Sequence, residues 1–126
     1  MVEEYSASKP IYLQIADRII REIVRRERHP GDKLPSVREM ALQAGVNPNT
    51  IQRTYSELER MTIVETKRGQ GTFVTEEDDV LSVLNQRVQR EVIEIFIKNM
   101  KELGLSKEEM IESIKRYGEE NDRDPI

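Results

Sequence analysis

Asn49, Gln52, Arg53 and Ser56 recur at spacings that place them on one side of a helix, opposite Ile51, Tyr55 and Leu58. Asn and Gln side chains can bond bidentately to adenine in a major groove, and Arg to guanine. The row occupies the first two turns, the part of a groove-reading helix that reaches base edges. A solvated polar face would carry the same residue types, so the row acquires meaning only from what surrounds it. Two further cationic features stand nearby. Arg38 follows Ser36 by two residues, in the first turn of a helix, where the dipole disfavours a cation. A phosphate bridging Arg38 and the amides of that helix end, Ser36's included, would remove the conflict; a screened surface arginine is the plain alternative. Lys67-Arg68-Gly69 forms a basic, glycine-containing tip, suited to a narrow minor groove. Closing a hairpin and keeping its edge soluble would require the same residues.

These residues need elements to hold them. Residues 1–8 carry little apolar content and are expected to form a flexible arm. Pro10 suits a first helical turn, and Tyr12, Ile15, Ala16, Ile19, Ile20 and Ile23 keep helical spacing from Ile11 to about Arg26. His29-Pro30-Gly31-Asp32 has turn chemistry, and His29 is read as a turn residue rather than a metal ligand. Ser36 and Glu39 make a capping box ahead of Val37, Met40, Ala41 and Ala44, and Gly45 stands where a left-handed residue is needed. Asn47 caps a third helix with Pro48 at its first position. Two short helices joined through a glycine turn are the signature of a helix-turn-helix. Ile63–Thr66 and Thr72–Thr75 are β-prone runs flanking the basic tip, a hairpin. The fold class is therefore mainly α: a winged helix-turn-helix of three helices plus a hairpin wing over residues 1–75, then a helical tail over 76–126.

In the tail, one helical pattern runs from Val80 to Leu103 and is closed by Gly104, and Ser106 and Glu109 open another, expected to fray after Gly118. Seventeen large apolar residues lie between Val80 and Tyr117. Ile95-Phe96-Ile97 spans about 200° of a helix surface, more than one packing partner covers. Leu81, Leu84, Val88, Val92 and Ile95 form one stripe, and Ile93, Phe96, Met100 and Leu103 a second. Two helices of this size cannot bury both faces unaided. Dimerisation through Leu81, Leu84, Val88, Val92, Ile95, Phe96, Met100, Ile111 and Ile114 resolves this; packing of both stripes onto the winged domain is the alternative.

Charge follows the same division. Of 126 residues with net charge −4, residues 9–75 hold 12 Lys+Arg against 8 Asp+Glu, and residues 76–126 hold 8 against 14. A basic unit followed by an acidic one hints at polyanion contact by the first. The acidic run Glu76–Asp79 lacks the spacing of a calcium loop and reads as a linker favouring the next helix start. With no cysteine and one histidine, thiol chemistry and the usual zinc sites are excluded. No nucleophile–base pair assembles, so no enzyme, cofactor or metal is expected. No apolar run reaches membrane-spanning length and no charged-then-apolar leader is seen, so a soluble cytoplasmic chain is expected.

Taken together, Pro10-Ile11-Tyr12, Gln14-Ile15, Gly31–Glu39, Val46–Tyr55 and Gly69–Val74 resemble GntR-family transcription regulators, in order and spacing. Asn47-Pro48-Asn49-Thr50 and the short tail resemble the YtrA-type branch. The resemblance implies a tail that dimerises, DNA contact by Arg38, base or phosphate contact by Asn49, Thr50 and Gln52, and a wing tip at Arg68 and Gly69 that enters the minor groove. Pro48 and Gln52 replace arginines of many family members, so guanine readout there is not implied. The candidate DNA-contact set is Ser36, Arg38, Asn47, Asn49, Thr50, Gln52, Arg53, Lys67, Arg68 and Gly69. The expected function is a homodimeric repressor on a palindromic operator in double-stranded DNA, controlling its own operon and neighbouring transporter genes. A small-molecule effector, if one binds, is expected between tail and winged domain. A protein-interaction module and an architectural DNA binder are the rival classes.

Overall fold

The computed structural model describes residues 5–121. Its elements are α1 (Ile11–Val24), α2 (Val37–Ala44), α3 (Pro48–Arg60), β1 (Val64–Lys67), β2 (Gly71–Val74), α4 (Asp78–Glu102) and α5 (Lys107–Glu120). They fall into two compact units, which divide after Asn85.

The first unit is built around the apolar stripes of α1, α2 and α3. Ile15, Ile19, Met40, Ala44, Ile51 and Leu58 are fully buried, joined by Leu34, Ile63, Val64 and Val74 from the loop and wing. Burial of each such aliphatic side chain is worth about 1.5–3 kcal/mol, which is what holds three short helices together. Thr54, like Thr75, is a polar residue buried in this core. Its hydroxyl donates to the Tyr12 carbonyl at 2.8 Å, with the Thr50 carbonyl 3.1 Å away, so it is satisfied while tying α3 to α1. Tyr55 reaches from α3 to the entry of α2, donating from its hydroxyl to the Pro35 carbonyl at 2.6 Å.

The start and stop chemistry is local. Ser36 Oγ accepts from the Glu39 amide and Glu39 accepts from the Ser36 amide, closing the box before α2. Gly45 ends α2 at φ 69°, and Asn47 caps α3 by accepting from the Asn49 amide at 2.7 Å. α1 stops at Val24, two residues short of its expected end, because Arg26 takes φ 62° and the chain turns there, the Glu27 amide donating back to Glu22 O.

Residues 5–8 differ from the flexible arm expected of them. Gln14 grips the segment, donating to the Ser6 and Lys9 carbonyls and accepting from the Ser6 amide, and the Tyr5 hydroxyl donates to Ala44 O at 2.7 Å. Residues 1–4 of that arm lie outside the described residues.

The wing is the antiparallel pair β1–β2, with Val64 opposite Val74 and Lys67 opposite Gly71. Residues 31–34 line the other edge of β2, where Lys33 pairs with Phe73 and backbone bonds join Gly31 and Asp32 to Val74 and Leu34 to Thr72. This extra edge ties the wing to the segment leading into α2.

The first unit extends beyond residue 75, where the sequence expects the boundary. The opening turns of α4 belong to it, and Leu84 is 4 % exposed there. Leu84, expected at a dimer interface, is therefore buried already in the single chain, and Leu81 is half-buried. In the second unit α4 ends before Gly104, whose φ of 81° turns the chain, and Ser106 and Glu109 form the second capping box. α5 runs through Gly118 to Glu120 rather than fraying there; residues 122–126 lie outside the described residues. Met110 is buried, while Val92, Ile93, Ile95, Leu103, Ile111, Ile114 and Tyr117 are exposed and Val88, Phe96 and Met100 half-buried. Among the described residues no helix is long and apolar enough to cross a membrane.

Candidate nucleic-acid interface

α3 presents Asn49, Gln52, Arg53 and Ser56 to solvent while Ile51, Tyr55 and Leu58 are buried, so the expected polar row is a free surface. Pro48 at the first position of α3 removes an amide that would otherwise lack a partner at this helix end. Asn47 spends its side-chain carbonyl on the Asn49 amide, leaving its amide nitrogen as the group that can meet a ligand. Thr50 is half-buried, and its carbonyl lies against the Thr54 hydroxyl.

Arg53 does not hang free. Its guanidinium lies 4.1 Å from the centroid of the Tyr12 ring on α1. An arginine stacked in this way keeps its N–H fork in the plane of the group, available at its edge. Tyr12 is thus a part of the site that the sequence reading placed only on the apolar face of α1.

At the start of α2, Arg38 is exposed. The Ser36 amide, expected to be lent to a phosphate, donates instead to the Glu39 carboxylate at 3.0 Å. That bond, with the one from the Ser36 hydroxyl region, holds the Glu39 carboxyl below the usual carboxylate range. A phosphate at this helix end would therefore meet Arg38 and a carboxylate together. Arg38 remains the group suited to it, and Ser36 serves the helix rather than the ligand.

On the wing, Lys67, Arg68 and Gly69 are all exposed at the hairpin tip. Gly69 takes φ 76° with no atom within 4 Å of where a side chain would start, so the tip is both glycine-dependent and open. Lys67 Nζ sits 4.8 Å above the Phe73 ring. A second lysine, Lys33, stands on the adjoining edge and was not singled out by sequence reasoning; its side chain passes beside Gly71. His29 stays in the turn, its amide donating to Asp32 at 2.8 Å.

The comparisons agree with this geometry. The profile for "Bacterial regulatory proteins, gntR family" matches residues 11–74, from the first residue of α1 to the last of β2. The chain is 62% identical over 119 residues to the uncharacterized HTH-type transcriptional regulator YhcF of Bacillus subtilis, covering 94% of this chain and 98% of that one. It is 49% identical over 70 residues to the HTH-type transcriptional repressor YtrA of the same organism, covering 56% of this chain and 54% of that one. A GntR family transcriptional regulator from Listeria monocytogenes superposes with TM-score 0.83 at 44% identity, over 89% of this chain and 98% of that one. The DNA-binding domain of AraR in complex with operator ORX1 superposes with TM-score 0.54 at 26% identity, over 60% of this chain and 95% of that one. The chain belongs to the gntR family of bacterial regulatory proteins, in its YtrA-type branch, and is a DNA-binding transcription regulator built on a winged helix-turn-helix.

Proposed function

We propose that the protein is a homodimeric repressor in which two winged units take the half-sites of a palindromic operator and the tails join the protomers. The observation that carries the DNA-reading half is the exposed row Asn49, Gln52 and Arg53 on α3, close in the chain to the cationic wing tip Lys67-Arg68. Arg38 supplies a phosphate contact that positions without reading sequence. Support for the dimer comes from the tail. Val92, Ile95, Ile111 and Ile114 are exposed in the single chain, a set of large apolar groups that a second copy would cover. The repressor role rests on the likeness to YtrA. Its targets are proposed to be its own operon and adjacent transporter genes, and a promoter occupancy map lacking those sites would remove that part.

A small-molecule effector is proposed for a cleft of about 320 Å³ inside the first unit, lined by Ile23, Arg26, Arg28, Leu81, Leu84 and Asn85 among others. Its volume suits a small ligand, and its walls join the end of α1 to the first turns of α4.

Selection of bound duplexes from a random library at about physiological salt tests the central reading. An enriched palindrome with fixed half-site spacing is the expected result. Retention of DNA without enrichment would favour an architectural binder, because phosphate contacts carry no sequence information. No retention would favour a protein partner.

A further inference from the structure

Lys33 and Lys67 share one face of the wing. In antiparallel strands, directly opposed residues point to the same side. Lys33 is opposite Phe73, and Lys67 is opposite Gly71, two residues along the same strand and hence on the same face. The two side chains then cross diagonally toward each other. Lys67 Nζ lies 4.8 Å over the Phe73 ring, and Lys33 runs toward Gly71, its Cε 2.7 Å and its Nζ 3.6 Å from the point a Cβ would occupy there. Gly71 therefore does two things. It allows φ 127°, which side-chain-bearing residues rarely adopt, and it leaves the space that the Lys33 stem fills. Among the described residues neither lysine forms an ion pair, although Glu65 shares the face and Glu39 lies near enough to Lys33 to feel its charge.

We propose that Lys33 is a further DNA contact, forming with Lys67 a two-lysine seat for one backbone phosphodiester, which Gly71 keeps open. The inference rests on the DNA-binding reading of the wing and adds a residue outside the helix-turn-helix and the hairpin tip. Two ammonium groups on one face of the wing, one over Phe73 and the other beside Gly71, repel less when an anion lies between them, and a phosphodiester is the anion that a DNA-binding wing meets. Lysine suits this role as a point charge with three donors, whereas a base edge would call for the fixed fork of arginine or an amide. With the tip in the minor groove, the wing face meets the sugar-phosphate strand bordering that groove.

The experiment is fluorescence titration of a labelled random-sequence duplex with the full chain across a salt series, since a phosphate contact is independent of sequence. Lys33→Gln is expected to lower the slope of log affinity against log salt by about one and to weaken binding roughly five- to tenfold near 0.1 M salt. Lys33→Arg should restore both, and the melting temperature of Lys33→Gln should match the wild type. Gly71→Ala, which displaces Lys33 without changing charge, should reproduce the lost slope if its wing still folds. An unchanged slope in Lys33→Gln, with the wild type still binding, overturns the seat alone. Failure of the wild type to bind any duplex overturns the DNA-binding reading beneath it, and the seat with it.

Discussion

The Arg53 guanidinium lies 4.1 Å from the centre of the Tyr12 ring, so a side chain of α3, the proposed groove-reading helix, is held from the neighbouring helix α1. At a surface position such a stack is worth about 0.5–1 kcal/mol, enough to bias one arginine rotamer but not to affect the fold. Tyr12→Leu should therefore leave the melting temperature nearly unchanged and weaken operator binding by roughly two- to fivefold. If the ring acts through Arg53, the double variant Tyr12→Leu/Arg53→Ala should lose no more affinity than Arg53→Ala alone. Additive losses would mean that Tyr12 contributes on its own account.

Arg38 and Gln52 should separate positioning from reading. Arg38→Ala removes the proposed phosphate contact, so all duplexes should weaken alike and the salt slope should fall by about one. Gln52→Ala should cost about 1–3 kcal/mol against the operator, concentrated at a single base pair. Binding measured on the operator and on its single-base variants distinguishes the two. A uniform loss from both substitutions would remove Gln52 from the reading set.

The parts of the fold that were legible in the sequence are those governed by neighbours in the chain. Ser36 with Glu39, Asn47 with Pro48, Gly45 and Ser106 with Glu109 all cap or end helices as their types require, because a cap is satisfied within a few residues. The polar row on α3 was legible for the same reason: the helical period sets it on the side of α3 away from Ile51 and Leu58. What escaped is tertiary. Tyr12 meets Arg53, Lys33 reaches the wing and Tyr5 reaches Ala44 across long stretches of chain, and no periodicity encodes those meetings. Leu84 fitted a stripe with Val88 and Ile95, yet it alone of the three is buried in the single chain; a stripe shows that a face is apolar, not what covers it. The capping box itself carried one overlooked consequence, since a Ser36 amide bound to Glu39 is no longer free for a phosphate.

Leu84 and the exposed tail residues should respond in opposite ways. Leu84→Ala opens a cavity in the first unit and is expected to lower unfolding stability by about 2–5 kcal/mol without changing the oligomeric state. Ile95→Glu and Ile114→Glu, at positions exposed in the single chain, should leave the fold intact. Each should weaken the proposed dimer by about 2–3 kcal/mol, roughly 30- to 150-fold, and weaken operator binding with it. Urea titration and light scattering on the three variants provide both readouts. A Leu84→Ala chain that dissociates while keeping its stability would return that residue to the interface.

Tyr55 makes stability depend on alkaline pH. Its ring is buried, and burial pushes the hydroxyl up to about 12 from an ordinary value of 10.0. The ionised oxygen would also lose the proton it donates to the Pro35 carbonyl, 2.6 Å away. Because the folded value is the higher one, the folded chain holds this proton after the unfolded chain has released it. The contribution to stability is complete below pH 10 and declines as pH rises toward 12, by an amount on the order of 2 kcal/mol. Tyr55→Phe should cost about 1 kcal/mol at neutral pH through the lost hydrogen bond, yet show a flatter stability curve between pH 10 and 12. Urea midpoints for both proteins at pH 7, 10 and 11 check this, and parallel alkaline declines would assign the loss to other groups.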